Sequence, residues 1–164
     1  MTETNGDAND PYHLQRFVDA QAHCFAQVRS ELIAGQKQSH WMWFVFPHLR
    51  GLGSSSMAQR FGISGADEAN AYLLHPVLGH RLRDCTALVN VVEGRSVHDI
   101  FGYPDHLKFH SSVTLFAWVV AYGQPFQVLG NHVFAAALAK YFDGKSDQAT
   151  IDRLQPYVER GGEN

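Results

Sequence analysis

Apolar residues recur every three or four positions from Leu14 to Leu32, through Phe17, Val18, Phe25 and Val28, which is the period of a helix with one face turned to a core. Asp10 followed by Pro11 supplies a start, an N-cap with proline at the first helical position, and Gly35 supplies a stop. The spacing predicts one long amphipathic helix between them. Ser39 can cap a short second helix from His40 to Phe46, ended at Pro47 because proline disfavours helical geometry in the residue before it. That segment, His-Trp-Met-Trp-Phe-Val-Phe, is apolar all round, the mark of a buried helix. After a loop holding Gly51, Gly53 and three serines comes a turn or short helix from Met57 to Phe61.

Ser64 and Asp67 approximate a capping box, with Asp where Glu or Gln is usual, and open a helix to about His75. Pro76 opens another, with Val77, Leu78, Leu82, Cys85, Leu88, Val89 and Val92 at helical spacing before Gly94. Ser96 can cap a brief turn through Phe101, and Asp105 a helix from about His106 to Tyr122. Further helices are expected over Asn131 to Phe142 and Asp147 to Leu154. No stretch alternates cleanly between apolar and polar, so strands are not expected. The reading is all-α: a single multihelical globular domain of seven to eight helices at varied packing angles. It spans residues 10–155, between a disordered N-terminal tail, 1–9, and a polar C-terminal tail, 156–164.

Composition narrows the partners. A formal charge of -3 gives no broad basic field, so nucleic acid is not an expected partner. The longest apolar run, Leu115 to Tyr122, falls far short of the ~20 residues that span a bilayer, so no membrane is expected either. Met1 to Asp10 is polar and lacks the cationic and apolar regions of a secretory signal. A cytoplasmic location follows, in which Cys24 and Cys85 are reduced thiols filling the core.

The run Ser39-His40-Trp41-Met42-Trp43-Phe44-Val45-Phe46-Pro47, followed by Gly51-Leu52-Gly53, resembles a bacterial family, domain of unknown function 1810, whose members often carry the label calpastatin. Leu14 to Gln21, Tyr72 to Leu82, Ile100-Phe101-Gly102, Lys108 with Ser111 to Phe116, and Lys140 to Gly144 match it too. Together these segments cover about residues 10 to 155. The resemblance implies an all-helical fold and supplies no reaction, cofactor or site. The calpastatin label fits poorly, since inhibitory calpastatin segments are disordered and this composition is that of a packed domain. The family pattern usually has Gln where His48 stands, and the stretch from Gly123 to His132 is longer than usual.

Candidate chemistry gathers in two segments. Trp41 and Trp43 beside His40, with Arg60 or Lys108 nearby, suit a planar anionic ligand such as a nucleotide; the bland alternative is an aromatic core helix whose polar tips bond backbone. Lys108 and Ser112 share a helix face at i,i+4, the least geometry for a lysine to draw a proton from a hydroxyl. Lys108, Ser111, Ser112 and Thr114 can instead hold an anion without reacting. His106 and His110 also stand at i,i+4 but lack the glutamate of a zincin and any further ligand at metal spacing, so no metal and no cofactor is expected. Arg16, Arg81 and Arg83 read as a solvated face. The leading expectation is a binding or regulatory module that holds a small anionic ligand or a protein partner through Ser39, His40, Trp41, Trp43, Arg60, Lys108, Ser111, Ser112 and Thr114. One rival is an enzyme acting on a nucleotide-like or amide substrate with His40 as general base and Lys108, Ser112 or Arg60 stabilising charge. The other is a structural or interaction protein. Whether the chain is an enzyme stays open.

Overall fold

A computed structural model describes residues 9–123 and 129–161, with side chains to 155. Of the tail expected at 1–9 only residue 9 is described, residues 124–128 of the unusual stretch lie outside the described residues, and of the tail expected at 156–164 residues 156–161 continue the last helix. Ten helices run through the described residues: α1 (Gln15–Ala22), α2 (Phe25–Ala34), α3 (Met42–Val45), α4 (Ser56–Arg60), α5 (Ala66–Leu74), α6 (Leu78–Asn90), α7 (Val97–Phe101), α8 (Asp105–Tyr122), α9 (Val133–Phe142) and α10 (Gln148–Gly161). The only pairing of strand type among them is one parallel bridge, Leu49 with Ile63. No helix among the described residues is long and apolar enough to cross a membrane.

The count exceeds seven or eight because the expected turns at 56–60 and 97–101 close as helices and the first long helix is two. The start expected at Asp10–Pro11 falls later, since Leu14 is the N-cap of α1 and residues 11–14 lie outside the helix; the Asp10 carboxylate reaches over them to accept from Leu14 N (2.7 Å) and Gln15 N (2.9 Å). The break falls at His23–Cys24, where Cys24 leaves helical geometry at φ -132°. It lets α1 turn Phe17 and Gln21 toward α3 while α2 turns Val28, Glu31 and Leu32 toward α6. The apolar period runs through the break unchanged and no glycine or proline marks it, so the pattern could not reveal it.

α8 is the hub. Phe109, Val113, Leu115, Phe116 and Val119 are all buried along it, and α5, α7, α9 and α10 each pack against it. Asp105 does not cap it; Pro104 holds that position and Asp105 lies inside the first turn. The Ser96 cap forms as a full capping box with Asp99. The Ser64–Asp67 box does not: Gly65 is the N-cap of α5, and Glu68, not Asp67, accepts the Ser64 N–H at 2.9 Å. Between α5 and α6 the backbones nearly touch, since a Cβ at Gly79 would lie 2.1 Å from the Leu73 carbonyl oxygen. Only glycine fits there. Of the two cysteines, both free, Cys85 is buried and Cys24 half-buried.

Candidate functional site

Removing a carboxylate from water costs several kcal/mol unless donors replace the lost solvent. Glu31, 4% exposed, is supplied with them by the loop that follows α2. Its Oε1 accepts from Gln38 N (2.7 Å), Ser39 N (2.9 Å) and the Trp41 indole (3.0 Å), and its Oε2 from the Ser39 hydroxyl (2.5 Å) and Gln27 (2.9 Å). Burial alone would raise its pKa; the Ser39, Gln38 and Gln27 hydrogen bonds outweigh that and hold it at about 2. Ser39 and Trp41 thus serve this anchor.

The same loop brings Lys37 onto a carboxylate that Lys108 already meets from one turn along α8. Asp105 meets Lys37 Nζ at 2.8 Å through one oxygen and Lys108 Nζ at 3.2 Å through the other. Lys37 lies 5.1 Å from the Trp41 ring centre and Lys108 5.1 Å from that of Trp43, within cation–π range. Trp43 and Lys108, expected together from the sequence, do come together. Trp41 is buried and Trp43 half-buried, so the aromatic segment is core on one side and partial surface on the other.

Farther along α8, Ser111 donates to Asp147 Oδ2 at 3.0 Å, and Thr114 Oγ1 accepts from Asp147 N at 2.9 Å, tying α8 to the start of α10. Ser112 between them is fully buried, and its hydroxyl has no hydrogen-bond partner among the described residues. Lys108 Nζ is directed at Asp105, away from catalysis with Ser112. His48 is buried with Nδ1 3.1 Å from the Leu49 carbonyl, and burial, joined by the Lys108 charge, lowers its pKa. His40 and Arg60 are exposed, the Arg60 guanidinium lying 5.1 Å from the Phe61 ring centre. Eight of the nine expected residues therefore divide among Glu31, Asp105, Asp147 and open surface, and Ser112 is enclosed in the core.

A cleft of about 560 Å³ opens elsewhere, walled by Tyr12, the Leu49–Arg50 turn, the start of α5, and Arg153 and Leu154 of α10. The Leu49–Ile63 bridge sets its inner wall, with Arg50 N bonded to the Ile63 carbonyl at 2.8 Å and Ile63 N to that of His48 at 2.9 Å. A Cβ at Gly62 would lie 2.7 Å from Arg50 Cα, so the two segments meet this closely only with glycine there. Glu68 forms the floor, 2% exposed and paired with Arg16 at 2.9 Å. Arg16, read as solvated, is in fact buried to 9% side-chain exposure, and also donates to the Tyr12, Arg60 and Gly62 carbonyls.

Arg50 and Arg153 are exposed at the rim. Arg50 donates to the Gly62 carbonyl at 3.3 Å and Arg153 to that of Gly51 at 3.1 Å. A guanidinium carries five donors, so these contacts steady each side chain and leave most of its fork available. The start of α5 faces the same space, and no side chain caps it. Sequence reasoning missed Tyr12, Arg50 and Arg153 because their meeting is a product of tertiary folding; the one local signal was an arginine directly before a glycine-rich loop.

These features define a small helical protein whose cleft gathers cationic groups from distant parts of the chain. The pattern of the family described as "Protein of unknown function (DUF1810)" matches residues 11–154, and the chain belongs to that family. Among solved structures it is similar to the conserved hypothetical protein Rv1873 from Mycobacterium tuberculosis, with 53% sequence identity over 89% of this chain and 99% of that one and a TM-score of 0.82. No curated protein matches it.

Proposed function

We propose that this protein is a binding module for a small anionic ligand, seated in the cleft between Arg50 and Arg153. One observation carries the reading: two exposed guanidinium groups, from segments about a hundred residues apart, line a single cleft of about 560 Å³. That volume lies within the roughly 300–1,000 Å³ of small-molecule sites. Glu68 on the floor is already matched by Arg16, and the exposed Asp67 at the start of α5 offsets one of the two rim arginines, so one net positive charge remains for a carboxylate or phosphate, which guanidinium forks grip in bidentate fashion. Tyr12 offers a ring for a planar portion of the ligand.

The test is calorimetric titration with inorganic phosphate, nucleoside monophosphates and di- and tricarboxylates. At least one should bind, and Arg50→Ala and Arg153→Ala should each weaken it about ten-fold or more, the equivalent of one charge-assisted hydrogen bond. Undiminished affinity in both variants, or no binder in the panel, would sink the reading. A second seat, at the Trp43–Lys108 face, is favoured by the Lys108 ammonium lying 5.1 Å from the centre of the half-buried Trp43 ring. Binding lost in Lys108→Ala and Trp43→Ala but kept in both arginine variants would move the ligand there.

A further inference from the structure

We propose that His98 and His106 form a two-imidazole site for a divalent transition-metal ion of the nitrogen-preferring class, Cu²⁺ above all. The site is separate from the cleft and does not depend on it. The two ring centres are 4.9 Å apart with the rings inclined at 66°. An imidazole nitrogen binds such an ion at about 2.0–2.1 Å, which puts each ring centre about 3.2 Å from the metal. With one nitrogen of each ring facing the same ion, centres 4.9 Å apart subtend about 100° at it, between the tetrahedral angle and the right angle of cis ligands in an octahedron or square plane.

The backbone presents the pair. His98 lies in α7, whose first turn is locked by the Ser96–Asp99 capping box and whose His98 carbonyl accepts the Gly102 N–H at 2.8 Å. His106 lies in the first turn of α8 with Nδ1 3.2 Å from the Gly102 carbonyl. A neutral ring that donates Nδ1–H to that carbonyl keeps its Nε2 lone pair for a ligand, the arrangement common to metal-bound histidines. The helical pair suggested by i,i+4 spacing does not form. His110 stacks on Phe142 with ring centres 3.9 Å apart, and its Nε2 lies 2.8 Å from the Lys145 carbonyl.

Asp99, the nearest carboxylate in sequence, gives one oxygen to Ser96 N. Among the described residues no group of three or more His, Cys, Asp or Glu side chains converges at metal distance, so water completes the coordination. Such a site is open and exchangeable, and it ranks divalent ions in the Irving–Williams order, with Cu²⁺ strongest.

Untagged full-length protein would be titrated with Cu²⁺ and with Zn²⁺, and its Cu²⁺ complex examined by electron paramagnetic resonance. The expected result is one Cu²⁺ per chain with two nitrogen ligands. Affinity should fall roughly ten-fold or more in His98→Ala and in His106→Ala, at least the loss that follows disturbing a ligand's supporting hydrogen bond, and stay unchanged in His110→Ala. Wild-type affinity in His98→Ala, or a Cu²⁺ signal with a single nitrogen, overturns the proposal. His98 is exposed, so its variant keeps the fold and decides the matter even if His106→Ala unfolds.

Discussion

Glu31 shows how far one side chain can organise a segment. Its folded pKa of about 2 lies below its ordinary value of 4.5, so the ionised form is favoured by folding. The stability it contributes is complete above about pH 4.5 and is lost as the pH falls from there through about 2. The shift corresponds to about 3 kcal/mol. Urea unfolding at pH 7 and pH 3 should therefore show Glu31→Gln destabilised at the higher pH by up to about that amount, with about half of the difference gone at the lower. An equal penalty at both pH values would mean that shape, and not charge, matters there. Glu31 was within reach of sequence reasoning: it stands between Val28 and Leu32 on the apolar stripe of α2, where a carboxylate needs a reason. Its donors, lying across a loop at Gln38, Ser39 and Trp41, were not. The cysteines differ in the same physical terms. Burial, with Asp84 beside it, pushes Cys85 up to about 12, while half-buried Cys24 is raised chiefly by burial, with Glu31 beside it. A thiol reagent at neutral pH should modify Cys24 alone and slowly in the native protein, the second thiol reacting only on unfolding; two equivalents consumed natively would contradict this burial.

Among the elements, the legible features were those whose signals sit within a few residues. The Ser96 cap, the span of α8 to Tyr122 and the stop of α3 before Pro47 were all readable. The break between α1 and α2 was not, and Asp105 was assigned a local role when its partners are Lys37 and Lys108. A capping aspartate and a bridging one look alike until a distant lysine arrives. The α5–α6 contact makes a sharp prediction of this kind. Gly79→Ala places a methyl against the Leu73 carbonyl oxygen, and overpacking of backbone on backbone costs about 1–3 kcal/mol. The usual gain in helix propensity from glycine to alanine, about 1 kcal/mol, is too small to reverse the sign. Chemical denaturation should find the variant less stable, and a stabilised Gly79→Ala would mean that the two helices separate at little expense.

For the whole molecule, pattern reading reached the class, all-helical and without strands among the described residues, because buried faces at helical spacing are written locally. The expected site residues proved to be spread over several carboxylate-centred contacts, since proximity in space was inferred from proximity in sequence. The cleft reverses that logic. Tyr12 and Arg153 stand near opposite extremes of the folded unit and yet share one wall-to-wall space. During synthesis, Tyr12, Arg50 and the start of α5 leave the ribosome well before α10 does. The space between them has no second cationic side until α10 docks on α8. The anion binding proposed for this cleft therefore waits on the docking of α10, and a bound anion would mark a polypeptide in which Arg50 and Arg153 have already met.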